Sequence, residues 1–174
     1  MQPPQFPCGP FATCDHYSPS DRDRLIQEIA KAPDELRIAA RHLDAKQLDS
    51  RYKNWSVRQI VHHIADSHVH SYVRFKWALT EDCPTIKAYD EGDWSQLEDA
   101  RLGDIEPSLY LLDGLHQKWT QLLNSMTEDQ FRRSFNHPQT GETTNLWMAL
   151  NYYAWHSRHH TGQILWLDKH RLES

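Results

Sequence analysis

At 174 residues, with 39% hydrophobic and 25% charged side chains, the chain has the composition of one globular domain with a single substantial core. A formal charge of −5 and Lys/Arg runs no longer than two leave no clustered basic face for neutralising phosphates, so no nucleic-acid partner is expected. No apolar stretch approaches the roughly 20 residues that cross a bilayer, and no membrane association is expected.

The first eleven residues, "MQPPQFPCGPF", have neither the basic start nor the apolar run of a signal peptide. Cys8, Cys14 and Cys83 form an odd set without metal-ligand spacing, which fits a reducing compartment, so a cytoplasmic location is expected. Twelve histidines and seven tryptophans are the unusual counts.

Residues 1–17 carry four of the nine prolines and read as an extended arm; residues 18–174 read as one helical domain. Ser18-Pro19-Ser20-Asp21 is a helix start, with a serine cap, proline at the first position and an acid in the first turn. The helix over 22–31 is expected to stop at Pro33, with a second piece over 34–43. Ser56 caps a helix with no breaker before Pro84, long enough at about 1.5 Å per residue to run roughly 35 Å. Residues 81–103 are polar, hold Pro84, Gly92 and Gly103, and read as a long connection.

A third long helix is expected over 106–126, where Leu109, Leu112, Leu115, Trp119, Leu122 and Leu123 recur at three and four. Thr127 to Gln130 is a capping box opening a short turn, and "FNHPQTGET" (135–143) is a small hairpin. A last helix is expected from a Thr144 cap to about Lys169. The sum is an all-α four-helix bundle.

The last helix carries the chemistry. Leu146, Ala149, Leu150, Tyr153, His156, His160, Ile164 and Leu167 form one stripe, so two imidazoles one turn apart replace apolar residues on the buried face. A lone buried histidine is ordinarily satisfied by hydrogen bonds, but two stacked imidazoles are harder to satisfy without an ion. His159 sits about 100° away, at the edge of the stripe. On the second long helix Val57, Ile60, Ile64, Phe75 and Leu79 point inward. His63 and His68 both qualify there as a third ligand, while His62 falls with Arg58, Gln59 and Asp66 on a polar face expected to be solvated. Periodicity does not choose between His63 and His68. "HSRHH" has Ser157 where a zincin helix needs a glutamate, so this is not a metalloprotease motif.

"NWSVRQIVHHIADSH", "RFKWALTEDCPTIKAYDEGDW", "HPQTGETTNLW" and "YYAWHSRHHTGQI", in that order, resemble the DinB/YfiT-like proteins, closest to the YfiT branch of metal-dependent hydrolases. The likeness covers roughly residues 18–168. It implies a four-helix bundle that holds Zn²⁺ or Ni²⁺ on three histidines, commonly as a homodimer. By motif it implies His63, the second histidine of "VRQIVHHIAD", with His156 and His160 as ligands.

Three neutral imidazoles leave coordination positions open, as in a catalytic site. The expected function is a metal-dependent hydrolase using activated water on a small-molecule substrate. Relatives that use bacillithiol or mycothiol imply one alternative, a thiol-dependent S-transferase taking a low-molecular-weight thiol; a non-catalytic metal-binding module that merely uses the bundle is the other. Asp66 and Gln163 are the expected partners of the ligands' other ring nitrogens, and Arg158 and His159 the expected entrance.

Overall fold

The computed structural model describes residues 2–14 and 16–171; the last three residues of the expected 18–174 domain lie outside the described residues. Four long helices form the bundle: α1 (Pro19–Ala40), α3 (Val57–Thr80), α6 (Glu106–Ser125) and α8 (Leu146–Arg171). Helix α1 packs against α6 and α8, and α3 packs against the same two, so α1 and α3 face each other across the diagonal. Short elements join them: α2 (Ala45–Leu48), α4 (Glu91–Ser95), α5 (Glu98–Leu102) and α7 (Glu128–Phe131). Two antiparallel ribbons complete the set, β1 (Arg51–Tyr52) with β2 (Trp55–Ser56) and β3 (Ser134–Asn136) with β4 (Thr143–Asn145).

The helix starts follow their side chains. Ser18 Oγ accepts from the Asp21 N–H, and Ser56 and Thr127 each complete a reciprocal capping box, with Gln59 and Gln130. The last helix begins one residue later than its threonine suggests. Thr144 pairs in β4, and Asn145 Oδ1 accepts from the Met148 N–H at 2.7 Å.

Pro33 does not stop α1. The helix runs through it for 22 residues with the proline buried. A proline inside a helix leaves the carbonyl four residues earlier without its N–H. Here that carbonyl belongs to Ile29, and His116 Nδ1 lies 2.6 Å from it, so α6 supplies the hydrogen bond the proline cannot. Local propensity is overridden by a tertiary contact.

The expected connection over 81–103 is also more ordered than its polarity suggests, because α4 and α5 lie along α3. Gln59 donates to the Ser95 carbonyl at 2.8 Å, and Arg58 to the Gly103 carbonyl at 2.7 Å. This covers the face taken as solvated: His62 is 9% exposed, with Nδ1 2.8 Å from Ser108 Oγ.

The core falls into two parts. One holds Leu25, Ile26, Ile29, Phe75, Trp119, Leu123, Phe131, Leu146 and Leu150; the other holds Leu36, Val57, Ile60, Ile64, Leu109, Leu112 and Ile164. Between them each long helix contributes something other than an aliphatic side chain: Pro33 on α1, His68 on α3, His116 on α6, His156 and His160 on α8. Phe75 is fully buried against Trp119, ring centroids 5.5 Å apart. Replacing it with alanine should lower unfolding free energy by about 3–5 kcal/mol, read from urea denaturation of metal-free protein at neutral pH.

Candidate metal centre

Helices α3 and α8 present their histidines toward each other. His63, His156 and His160 are all buried, and their ligand-type nitrogens lie within 4.8 Å of one another. His63 Nε2 and His156 Nε2 are 3.2 Å apart. Two nitrogens each about 2.1 Å from a common tetrahedral or octahedral ion are separated by roughly 3.0–3.4 Å, so this pair needs no movement to share one. Only one of the facing nitrogens can carry hydrogen, and a cation between them lets both offer a lone pair.

The opposite ring nitrogens of His160 and His156 are held. His160 Nδ1 is 2.8 Å from Gln163 Oε1, an acceptor, so the proton sits on Nδ1 and Nε2 is left free. Gln163 then donates through its amide nitrogen to His159 Nε2 at 3.1 Å. His156 Nδ1 lies 3.3 Å from His68 Nε2. Asp66 touches none of the three. It turns toward α5, where burial, with help from Asp99, pushes its carboxyl up to about 6.

Arg158 does not line an entrance either. A residue two positions from His156 and two from His160 lies about 200° around the helix, on the opposite face. It faces α1 instead and pairs with Glu28 at 3.4 Å. His159 stacks on Trp155, centroids 4.8 Å apart, beneath Phe6 of the arm.

Three contributors have no expectation attached to them in the sequence. Trp55, on β2, covers the site, its ring centroid 4.5 Å from that of His63 and 6.2 Å from that of His160. Glu91, opening α4, brings Oε2 to 4.0 Å from His63 Nε2 and remains 64% exposed toward solvent. His116 stands behind His68, its Nε2 2.8 Å from His68 Nδ1. The α6 stripe Leu109–Leu112–Trp119–Leu123 passes through position 116, so a wheel locates it. Trp55 and Glu91 reach the site from separate loops and carry no periodic signal.

A cavity of about 1020 Å³ opens onto His156. Phe11 and Thr13 of the arm, Arg74, Glu91, the β3–β4 ribbon and Tyr152 and Tyr153 line it. Arg74 Nη1 reaches the Tyr153 hydroxyl at 3.4 Å, while its Nε is buried with no hydrogen-bond partner. Burial pushes the Tyr152 hydroxyl up to about 12, so it stays a proton donor at neutral pH. The arm is seated on α8: Trp155 donates to the Gly9 carbonyl at 2.9 Å and Trp147 to that of Cys14 at 2.7 Å. Gly162 lets Pro7 approach, since a Cβ there would meet the proline ring at 3.2 Å.

The sequence profile of the DinB superfamily matches residues 13–164. The chain belongs to the DinB superfamily. It is 47% identical over 167 residues to a Bacillus cereus protein named, provisionally, a metal-dependent hydrolase, with 95% of each chain covered. A Bacillus mycoides protein with the same provisional name is 46% identical over 166 residues, covering 94% of this chain and 95% of its own. The solved structure of YfiT from Bacillus subtilis, described as an unusual four-helix bundle and provisionally as a metal-dependent hydrolase, superposes with a TM-score of 0.92. Its identity is 43%, with 97% of each chain covered. No helix among the described residues is long and apolar enough to cross a membrane.

Burial keeps these imidazoles neutral. It pulls His63 down to about 4, with the charge of His159 adding, and His116 to about 4; His68, His156 and His160 lie well below their ordinary value. In the unfolded chain all five return to about 6.5. Below pH 6.5 the unfolded state therefore binds more protons than the folded one, and stability falls as pH falls. Metal-free protein should have level stability above about pH 7. It should then lose up to about 1.4 kcal/mol per pH unit for each such histidine between pH 6.5 and 4. Urea midpoints at pH 7.5, 6.5 and 5.5 measure this, and equal midpoints would contradict it.

Proposed function

We propose that the chain is a metal-dependent hydrolase in which His63, His156 and His160 hold one divalent ion, Zn²⁺ or Ni²⁺. The reading rests on one observation, the convergence of three buried, neutral imidazoles beside a cavity, with the far nitrogens of His156 and His160 occupied. The donor set is all imidazole, which suits Zn²⁺ and Ni²⁺ and disfavours Mg²⁺. When bound, such an ion supplies Lewis acidity, polarising a substrate carbonyl and acidifying a coordinated water.

The chain's own residues divide the remaining work. Glu91, near His63 and open to the cavity, is placed to take the proton of an attacking water and return it to a leaving group. Arg74 lines the cavity and offers its guanidinium to an oxygen that gains negative charge. Trp55 closes one side of the histidines against bulk water. The cavity admits a small molecule. A homodimer is the assembly we propose by likeness to the family, and the cytoplasm the setting we propose from three cysteines that form no disulfide.

The test is a turnover screen of Zn²⁺- and Ni²⁺-loaded protein on ester and amide substrates, each with and without a low-molecular-weight thiol. Metal-dependent cleavage without thiol supports the hydrolase. Conjugation only with thiol would replace it with an S-transferase on the same residues, and no turnover with retained metal would leave a binding module.

Two substitutions refine the assignment. His160→Ala should abolish tight Zn²⁺ binding and turnover while far-UV circular dichroism stays that of chelated wild type, because the apolar core holds the bundle. Glu91→Gln should leave metal content unchanged and lower kcat by roughly 10²-fold or more.

A further inference from the structure

We propose that His116 and His68 are positioning residues that fix the tautomer of His156, the direction being set by the Ile29 carbonyl that Pro33 leaves open in α1. The inference rests on the metal-centre reading above and concerns His116 and His68, which are not ligands in that reading.

The argument begins at the one group in the chain of contacts whose role is not negotiable. A backbone carbonyl accepts hydrogen bonds and never donates them. The Ile29 carbonyl is buried, Pro33 has no N–H to give it, and His116 Nδ1 lies 2.6 Å away. His116 must therefore carry its proton on Nδ1. A neutral imidazole has one donor and one acceptor, so His116 Nε2 accepts, and His68 Nδ1, 2.8 Å from it, must be the donor. His68 Nε2 then accepts in turn from His156 Nδ1 at 3.3 Å. The last step leaves His156 Nε2 with a bare lone pair, facing His63 Nε2 at 3.2 Å.

The opposite order fails at both ends. It would set a ring lone pair against the Ile29 carbonyl lone pairs at 2.6 Å, and it would put the His156 proton on Nε2, where a ligand must offer electrons. A proton added to His116 or His68 would turn an acceptor into a donor facing a donor. Water cannot substitute for a missing link, because Ile29, His68, His116 and His156 are 0%, 0%, 2% and 4% exposed. Burial holds each of the three rings neutral, consistent with the one-donor, one-acceptor count.

The ring orientations are fixed by the same contacts. His68 and His116 stack with centroids 5.0 Å apart at 26°, and Trp119 and Tyr153 pack edge-on against His68. A merely structural pair of buried histidines would fill this space equally well. What distinguishes the relay is its direction.

Long-range ¹H–¹⁵N correlation spectra of metal-free protein labelled at histidine read tautomers directly. The expected result is Nδ1–H for His116, His68 and His156; Nε2–H at His156 overturns the inference. In His116→Phe, which keeps the packing and removes the relay, His156 should lose its single tautomer. Zn²⁺ affinity by chelator competition should fall about 10–100-fold although all three ligands remain. An affinity within twofold of wild type overturns the proposal. If His116→Phe does not fold, the wild-type spectrum decides alone. If wild type binds no Zn²⁺, the metal-centre reading fails, and the tautomer spectrum still settles the order of the relay.

Discussion

Buried polar groups have to be paired, and in this bundle that requirement falls on a single layer. Above and below it the four long helices meet through leucine, isoleucine, phenylalanine and tryptophan. Within it they meet through Pro33, His68, His116, His156 and His160, where an unpaired ring nitrogen or carbonyl costs about as much as a core methylene cluster gains. Each member depends on the next: the proline opens a carbonyl, one histidine closes it, and the polarity passes across the bundle to α8. The arrangement gives the helices a register that apolar packing alone does not specify, since sliding any helix by one turn would leave these groups unpaired together.

The elements between the long helices serve the same layer from outside. The β1–β2 ribbon is only two residues a side, yet it brings Trp55 over His63 and His160. The connection folded as α4 and α5 seals the outer face of α3 and carries Glu91 to the histidines. The arm caps α8 through tryptophan-to-carbonyl hydrogen bonds and lends Phe11 and Thr13 to the cavity. A site deep in a bundle is rigid because its ligands sit on helices; its access and its chemistry are delegated to loops, which tolerate change without disturbing the layer.

How much of this was legible in the sequence depends on whether a residue's role is fixed by its neighbours along the chain or by neighbours through space. Helix caps at Ser18, Ser56 and Thr127 read correctly because the side chain and its N–H partner are three residues apart. The buried stripes of α6 and α8 read correctly because a period of 3.6 is written locally, and that period alone put His156 and His160 inside the bundle. The choice between His63 and His68 was not available to periodicity. Both are buried, and what separates them is which long helices each one meets: His63 faces His156 and His160 of α8, while His68 stands between α6 and α8.

Only the tertiary structure decided the rest. Pro33 is a helix stop by its own chemistry and a helix interior because His116, 83 positions later, completes the hydrogen bond it breaks. His62 and Gln59 are surface residues by pattern and buried ones because a polar connection folds over them. Trp55 and Glu91 converge on histidines to which no spacing relates them. The sequence by itself determined which faces are apolar and therefore that there is a bundle with imidazoles inside it. The order of protons through those imidazoles is a property of four helices at once, because a hydrogen bond has a direction only when both of its ends are present.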